Sequence, residues 1–81
     1  MKVLKFEATW CAPCKSLTKL LESFDTEMYI QKVDIDENVD LVRDYGIRSV
    51  PTLVMLDDDG VEVKRGQNFK TLEDIQSFLK V

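Results

Sequence analysis

Cys11 and Cys14 are the only cysteines of this chain, and two residues separate them. A disulfide that closes so short a loop removes little entropy from the unfolded chain, about 2 kcal/mol for about 4 residues against about 4 kcal/mol for about 60. As a structural disulfide the pair would therefore stabilise the fold only weakly. A tetrahedral zinc site would need further Cys or His ligands, which the chain does not contain. We therefore expect thiol–disulfide chemistry from this spacing.

The cysteines fall where a predicted strand ends and a predicted helix begins. Residues 2–8 favour a strand, and Pro13 suits the first helical turn, where a missing N–H costs nothing. Apolar residues then recur at helical spacing: Leu17, Leu20, Leu21 and Phe24. A helix N-terminus favours negative charge, because its N–H groups lack partners and its dipole is positive there. A thiol at that place ionises more readily, and Cys11 gains most from this.

The middle of the chain predicts a second strand and a short helix. Residues 28–33 are rich in strand formers and favour the strand. Asn38 is placed to cap a helix that runs through Tyr45, and Gly46 is placed to end it.

A hairpin is predicted next. Residues 52–56 form an uninterrupted apolar run, as expected of a strand that is covered on both faces. The segment 57–60, three aspartates and a glycine, then turns the chain. Residues 61–64 alternate valine with charged side chains, which is the pattern of a half-exposed strand, and Gly66 ends that strand.

Thr71, with Asp74 three residues further on, predicts a capping box at the start of a last helix. The apolar side of that helix is Leu72, Ile75, Phe78 and Leu79. The predicted order is therefore βαβαββα, an α/β fold in one domain, residues 1–81. Its first βαβ unit gives a parallel pair with a right-handed crossover, and the hairpin is antiparallel. We expect a four-stranded mixed sheet with helices on both faces.

Charge and composition argue against several classes of partner. With 81 residues and a net charge of -4, the chain is a poor candidate for binding nucleic acid or an anionic membrane surface. No apolar run reaches the length of a signal peptide or of a membrane span, so we expect the chain to stay in the cytoplasm. We expect it to act as a monomer.

Several segments carry a resemblance to a known family. They are Trp10-Cys11-Ala12-Pro13-Cys14-Lys15 with the preceding Lys5-Phe6-Glu7-Ala8, then Val33-Asp34-Ile35-Asp36-Glu37-Asn38, Tyr45-Gly46-Ile47-Arg48-Ser49-Val50-Pro51-Thr52-Leu53 and Asp59-Gly60. Their order and spacing resemble those of thioredoxins over nearly the whole chain. The opening strand and helix of a full-length thioredoxin have no counterpart. The chain is thus similar to the minimal thioredoxin-like form found among glutaredoxins, small archaeal thioredoxins and phage thioredoxins.

The resemblance implies separate roles for the two cysteines. One thiolate must be exposed to attack a substrate disulfide, and a second thiol must lie close enough to resolve the mixed disulfide. Cys11 fits the first role, and Cys14, one turn into the helix on its inner face, fits the second. The redox-active disulfide Cys11–Cys14 would then be the only redox centre, with no other cofactor and no metal.

The resemblance also implies which residues bind substrate. In thioredoxins the proline that matches Pro51 follows a cis peptide bond and lies beside the disulfide. The preceding residue, here Val50, presents its backbone to a substrate strand. Trp10 would flank the substrate groove, and Ala12 and Pro13 between the cysteines would line it.

Two positions depart from the family. Lys5 stands where thioredoxins carry a buried Asp beneath the resolving cysteine, and Glu7 stands where they usually carry a Trp. Lys32 matches the lysine that partners the family's buried Asp. Residues two apart share a strand face, so Lys5 and Glu7 could pair. Together with Lys32 they could modulate Cys14. Alternatively, this face is wetter than in longer relatives, and the charges are simply solvated.

The function that we expect is reduction of protein disulfides by dithiol exchange. The partners would be disulfide-bearing target proteins and an electron donor, either a thioredoxin reductase or glutathione. A glutathione-linked glutaredoxin-like protein remains an alternative, although the chain has no Gly-Gly or Asp pair after the hairpin to hold glutathione. A second alternative is a binding subunit of another enzyme. A third, a disulfide-forming oxidant, is disfavoured because no export signal is present.

Overall fold

The computed structural model describes residues 1–23, 26 and 28–80. Within them the elements are β1 (Lys2–Glu7), α1 (Ala12–Glu22), β2 (Tyr29–Asp34), α2 (Val39–Tyr45), β3 (Thr52–Leu56), β4 (Glu62–Gly66) and α3 (Leu72–Leu79). This order and the mixed four-stranded sheet confirm the predicted fold class. Phe24, which the sequence predicts on the apolar side of α1, lies outside the described residues.

The sheet has the strand order β2-β1-β3-β4, so β1 is a central strand. It pairs parallel with β2, as the first βαβ unit predicts, and antiparallel with β3, which forms the hairpin with β4. The register sets Lys5 beside Lys32 and Glu7 beside Asp34. Because β1 is held on both sides, its carboxyl end provides a fixed starting point for the loop that leads to Cys11.

Two apolar clusters cover opposite faces of the sheet. The cluster under α1 and α3 consists of Val3, Leu17, Leu53, Met55, Ile75 and Phe78. The cluster under α2 consists of Leu4, Phe6, Val33, Val54 and Leu56, with Leu41, Val42 and Tyr45 packed against it. β3 is buried along its whole length, as its apolar run predicts. Helices therefore lie on both faces, and α1 is anchored through Leu17, which is fully buried.

The start of α2 differs in detail from the prediction. Asn38 occupies the cap position, but its side chain makes no capping hydrogen bond to the helix. Its Nδ2 instead donates to the Asp34 carbonyl at 2.9 Å, so it ties the helix entry to the end of β2. Gly46 does end α2, with a φ of 63° in the left-handed region, where glycine pays no steric penalty.

The edge strand β4 is half-exposed, as its alternating pattern predicts, but the valines are among its exposed side chains. Val61 and Val63 are 58% and 47% exposed, whereas Lys64 is half-buried, with its ammonium 5.0 Å from the centroid of the Phe78 ring. The ladder to β3 passes from Lys64 to Glu62 and skips Val63. Burial still alternates along β4, with Glu62, Lys64 and Gly66 half-buried. The charged side chains of Glu62 and Lys64 rather than the valines therefore face the covered side of the sheet, and the Lys64 ammonium lies over Phe78 of α3.

The capping box at the start of α3 gives a first testable prediction. Thr71 Oγ1 accepts from the Asp74 N–H at 3.2 Å, while Asp74 Oδ2 accepts from the Thr71 and Lys70 N–H groups. Replacing Thr71 by alanine should lower the free energy of unfolding by about 1 kcal/mol, because the cap is lost. Urea denaturation followed by circular dichroism measures this. The exposed Ser77→Ala on the same helix should change it by less than about 0.5 kcal/mol, and equal effects of the two substitutions would contradict the capping role.

The same box makes this helix end sensitive to acid. Backbone N–H groups of Lys70 and Thr71 hold the pKa of Asp74 below its ordinary value. The contribution of the carboxylate to stability is therefore fully present above the unfolded-state pKa and is lost as pH falls through the lowered folded-state pKa.

Candidate active site

Cys11 is the N-cap residue of α1 and has an extended backbone, with φ −94° and ψ 108°. Its Sγ accepts a hydrogen bond from the Cys14 N–H at 3.1 Å, so a sulfur takes the place of the usual capping oxygen. The two cysteines are joined in a disulfide, and their Cα atoms are 5.3 Å apart, within the usual range. Pro13 lies in the first turn, as the sequence predicts.

The two cysteines are more evenly buried than the sequence suggests. In this oxidised form Cys11 is 5% exposed and Cys14 is 2% exposed. Cys11 is the more accessible of the two, but it is not an open side chain. It packs in a small cluster with Ala8 and Cys14, against which Ile35 and Val50 lie.

Val50 and Pro51 lie beside the disulfide, and the peptide bond between them is cis, the form that the resemblance implies. The Val50 carbonyl oxygen is 3.8 Å from Cys11 Sγ. Pro51 and Pro13 line one side of a groove whose other side is the loop between β4 and α3. The predicted substrate-binding residues on either side of the disulfide are thus brought together in space.

Trp10 lies on the opposite side of the disulfide and is 67% exposed. Its indole Nε1 donates to Asp36 Oδ2 at 3.1 Å, which holds the ring against the loop between β2 and α2. A second groove runs there, lined by Trp10, Ile35, Val42, Ile47, Arg48, Ser49 and Val50. The two grooves share Ser49 and Val50, and Val50 packs against the two cysteines.

Sequence reasoning missed the contribution of the loop between β4 and α3. Phe69 and Lys70 face Ala12 and Pro13 across an open groove of about 620 Å³. Asn68 has a φ of 61°, a left-handed conformation that asparagine tolerates better than most residues. A polar stretch after Gly66 signals a loop, but its approach to α1 depends on tertiary packing, which no local pattern reports.

Lys5 is buried beneath α1, with 1% of its side chain exposed. Its Nζ donates to Glu7 Oε1 and to Thr18 Oγ1. Thr18 Oγ1 in turn donates to the Cys14 carbonyl at 3.0 Å. The pairing of Lys5 with Glu7 is therefore present, and the alternative that Lys5 is solvated is wrong. Lys32 is exposed on the neighbouring strand, and it lines a small cavity together with Lys5, Thr18, Leu21, Glu22 and Ile30.

The described residues contain neither a metal-binding cluster nor a membrane-spanning helix. No group of three or more His, Cys, Asp or Glu side chains among them is arranged to hold a metal ion. None of the helices within residues 1–23, 26 and 28–80 is long and apolar enough to cross a membrane.

Comparisons with known proteins find a matching family model and relatives of similar sequence and fold. The family model for thioredoxin matches residues 1–81. A thioredoxin from Bacillus subtilis is 41% identical over 78 residues, which cover 91% of this chain and 74% of that protein. A mutant thioredoxin from Halobacterium salinarum superposes with a TM-score of 0.84 at 33% identity, covering 95% of this chain and 69% of that one. Thioredoxin 1 from Thermosipho africanus, 24% identical, shares the fold with a TM-score of 0.72, and the match covers 98% and 94% of the two chains.

Proposed function

Since this chain belongs to the thioredoxin family and is a thiol–disulfide oxidoreductase, we propose that it reduces protein disulfides, with Cys11 as the nucleophile and Cys14 as the resolving thiol. The observation that supports these roles most directly is the position of the pair at the N-terminus of α1. Cys11 caps the helix, and its Sγ accepts the Cys14 N–H at 3.1 Å. The same N–H would stabilise a Cys11 thiolate in the reduced protein.

The reaction takes place in two exchanges. The Cys11 thiolate attacks one sulfur of a target disulfide, so a Cys11–target bond forms, the target S–S bond breaks, and the second target sulfur leaves as a thiolate. The Cys14 thiolate then attacks Cys11 Sγ, which forms the Cys11–Cys14 disulfide and releases the first target sulfur. Two electrons pass to the target, and its two thiolates take up protons from solvent.

Substrate recognition is assigned to the residues that border the disulfide. We propose that a target strand lies along the Val50 backbone, whose carbonyl is 3.8 Å from Cys11 Sγ. Pro51, Pro13 and Ala12 would contact the target on one side of that strand, and Trp10 would contact it on the other. This arrangement lets the backbone select an extended segment, while the grooves accept varied side chains.

The proposed role needs no redox group besides the disulfide, and it needs an electron donor. A thioredoxin reductase is the proposed donor, with glutathione as the alternative that a glutaredoxin-like protein would use. A reductant of protein disulfides works only where the compartment keeps dithiols reduced, so we propose a cytoplasmic setting. Targets are disulfide-bearing proteins, and we propose that a monomer acts on them.

Insulin reduction tests this function directly. With NADPH and a bacterial thioredoxin reductase, catalytic amounts of the chain should accelerate insulin precipitation at least about tenfold over the reductase alone, because dithiol exchange regenerates Cys11 and Cys14 in each turnover. The same assay with glutathione and glutathione reductase is the comparison. Reduction driven by glutathione alone would favour the glutaredoxin-like alternative, and no acceleration with either donor would contradict the proposal. A variant with serine at both cysteines is the control, and activity that survives in it would point to a binding subunit.

A further inference from the structure

We propose that Lys5 is a positioning residue for the resolving step and that it sets a buried positive charge against the helical turn that carries Cys14. The proposal rests on the assignment of Cys14 as the resolving thiol. Lysine is almost never fully buried unless it is paired, yet Lys5 is 1% exposed in the middle of the sheet. Its partners, Glu7 and Thr18, connect it to the active-site helix.

The connection runs through one hydroxyl group. Lys5 Nζ donates to Thr18 Oγ1, and Thr18 Oγ1 donates to the Cys14 carbonyl at 3.0 Å. Thr18 follows Cys14 by four residues, and residues at that spacing lie one above the other on the same helix face. The ammonium therefore approaches α1 on the face that carries Cys14, about one helical turn (~5.4 Å) along the axis.

The cost of burying this charge argues for a role beyond packing. Taking an ammonium out of water is unfavourable, and a buried ion pair is often no more stabilising than apolar residues of the same volume. Leu21 and Ile30 line the cavity next to Lys5, so an apolar side chain would find suitable neighbours there. Stability alone does not require a lysine at this position.

The chemistry of resolution supplies a use for the charge. Cys14 must lose its proton before its sulfur attacks Cys11 Sγ, since the thiolate is the nucleophile. The proton passes to solvent, the Cys11–target bond breaks, and the target leaves as a thiolate. Cys14 is 2% exposed, so water stabilises its thiolate poorly. A positive charge in this low-dielectric surrounding favours the thiolate and so lowers the pH at which resolution becomes fast.

Other charged groups face the same region from each element that packs there. Glu7 pairs with Lys5 on β1, Glu22 on α1 and Lys32 on β2 line the mouth of the cavity, and Asp34 lies beside Glu7. Lys5 alone of these five is buried. Solvent screens the exposed charges more strongly, so the exposed Lys32, which the sequence predicts to modulate Cys14 together with Lys5 and Glu7, should contribute much less than Lys5.

Stopped-flow reaction of the reduced protein with the disulfide DTNB separates the two exchanges. The first nitrothiobenzoate anion leaves when Cys11 attacks, and the second leaves when Cys14 resolves the adduct. Replacing Lys5 by methionine should raise the midpoint pH of the second phase by about one unit, which makes it about tenfold slower at pH 6. The first phase should stay within about twofold of the parent rate, because Cys11 is stabilised by the helix N-terminus instead.

Matched variants distinguish the effect of the buried charge from the effect of the protein's net charge. Lys5→Arg keeps the buried charge and should have the same midpoint pH as the parent protein. Lys2→Met removes the same charge from the same strand, but Lys2 is bonded to Gln31 and belongs to the other face, so the midpoint should not move. Lys32→Met should move it by less than about 0.3 unit. A parent-like midpoint in folded Lys5→Met protein overturns the proposal.

Glu7→Gln gives an independent test that leaves Lys5 in place. Removing the carboxylate leaves the ammonium less neutralised, so the midpoint of the second phase should fall. If Glu7 were instead the group that accepts the Cys14 proton, the second phase would slow down, and the charge proposal would be wrong. An unchanged midpoint also overturns it. The Cys14→Ser variant tests the assignment of Cys14 as the resolving thiol separately from the charge proposal, because this variant should release only the first anion.

Discussion

Replacing Cys14 by serine is expected to convert the protein from a turnover catalyst into a trap for its targets. Cys11 still attacks a target disulfide, but no second thiol lies within reach to release the mixed disulfide. In the parent protein the two Cα atoms are 5.3 Å apart, so Cys14 can attack Cys11 Sγ directly. The chain has no third cysteine that could replace Cys14. Insulin turnover should fall by on the order of a thousandfold, while one target per chain stays covalently bound.

The Cys11→Ser variant is the matched comparison. It should lose turnover to the same extent, but it should trap little, because Cys14 is the less exposed cysteine of the pair and lies within α1, whereas Cys11 caps the helix. Mass spectrometry of target mixtures under non-reducing conditions reads out both results. Iodoacetamide at mildly acidic pH should label Cys11 first in the reduced parent protein, as expected of a thiol at a helix N-terminus. Preferential labelling of Cys14, or trapping by Cys11→Ser, would reverse the two roles.

The fold was predictable wherever one local pattern decides one element. The apolar run of β3, the glycine that ends α2 and the Thr71–Asp74 capping box each carry their own physical reason, and each appears where the pattern predicts it. The positions of Cys11 and Cys14 could also be predicted from a local pattern. A proline suited to a first helical turn, between the two cysteines, is enough to put both sulfur atoms at a helix N-terminus.

What could not be predicted depends on packing between distant elements. Strand periodicity puts Lys5 and Glu7 on one face, but the third partner, Thr18, is 13 residues away, and its approach depends on how α1 lies on β1. The burial of Cys11 could not be predicted either, because Ile35 and Val50, which pack against it, come from other parts of the chain. In β4 the period-two alternation holds, but the valines lie on the exposed face. Alternation alone does not say which of the two faces is covered.

Replacing Leu17 by alanine is expected to destabilise the protein more than the loss of the Thr71 cap does. Leu17 is fully buried and anchors α1 on the cluster that includes Val3, Leu53 and Met55. A buried Leu→Ala change costs about 3 kcal/mol, as lost transfer energy plus the cavity left behind. A chain of this size has about 4–12 kcal/mol of stability in total, and each kcal/mol shifts Tm by about 4–8 °C. We therefore expect Tm to fall by about 12–24 °C in a calorimetric scan.

Leu72→Ala is the control, since Leu72 is already 38% exposed and its truncation should cost less than about 1 kcal/mol. Below its lowered Tm, the Leu17→Ala protein should keep both DTNB phases, because the cap of α1 and the link from Thr18 to Cys14 do not involve Leu17. A Tm within about 4 °C of the parent would mean that packing under Leu17 does not hold α1 on the sheet. The hydrogen bonds from Lys5 through Thr18 to the Cys14 carbonyl would then have to hold α1 on the sheet. In that case Lys5→Met should lower the stability more than Leu17→Ala does.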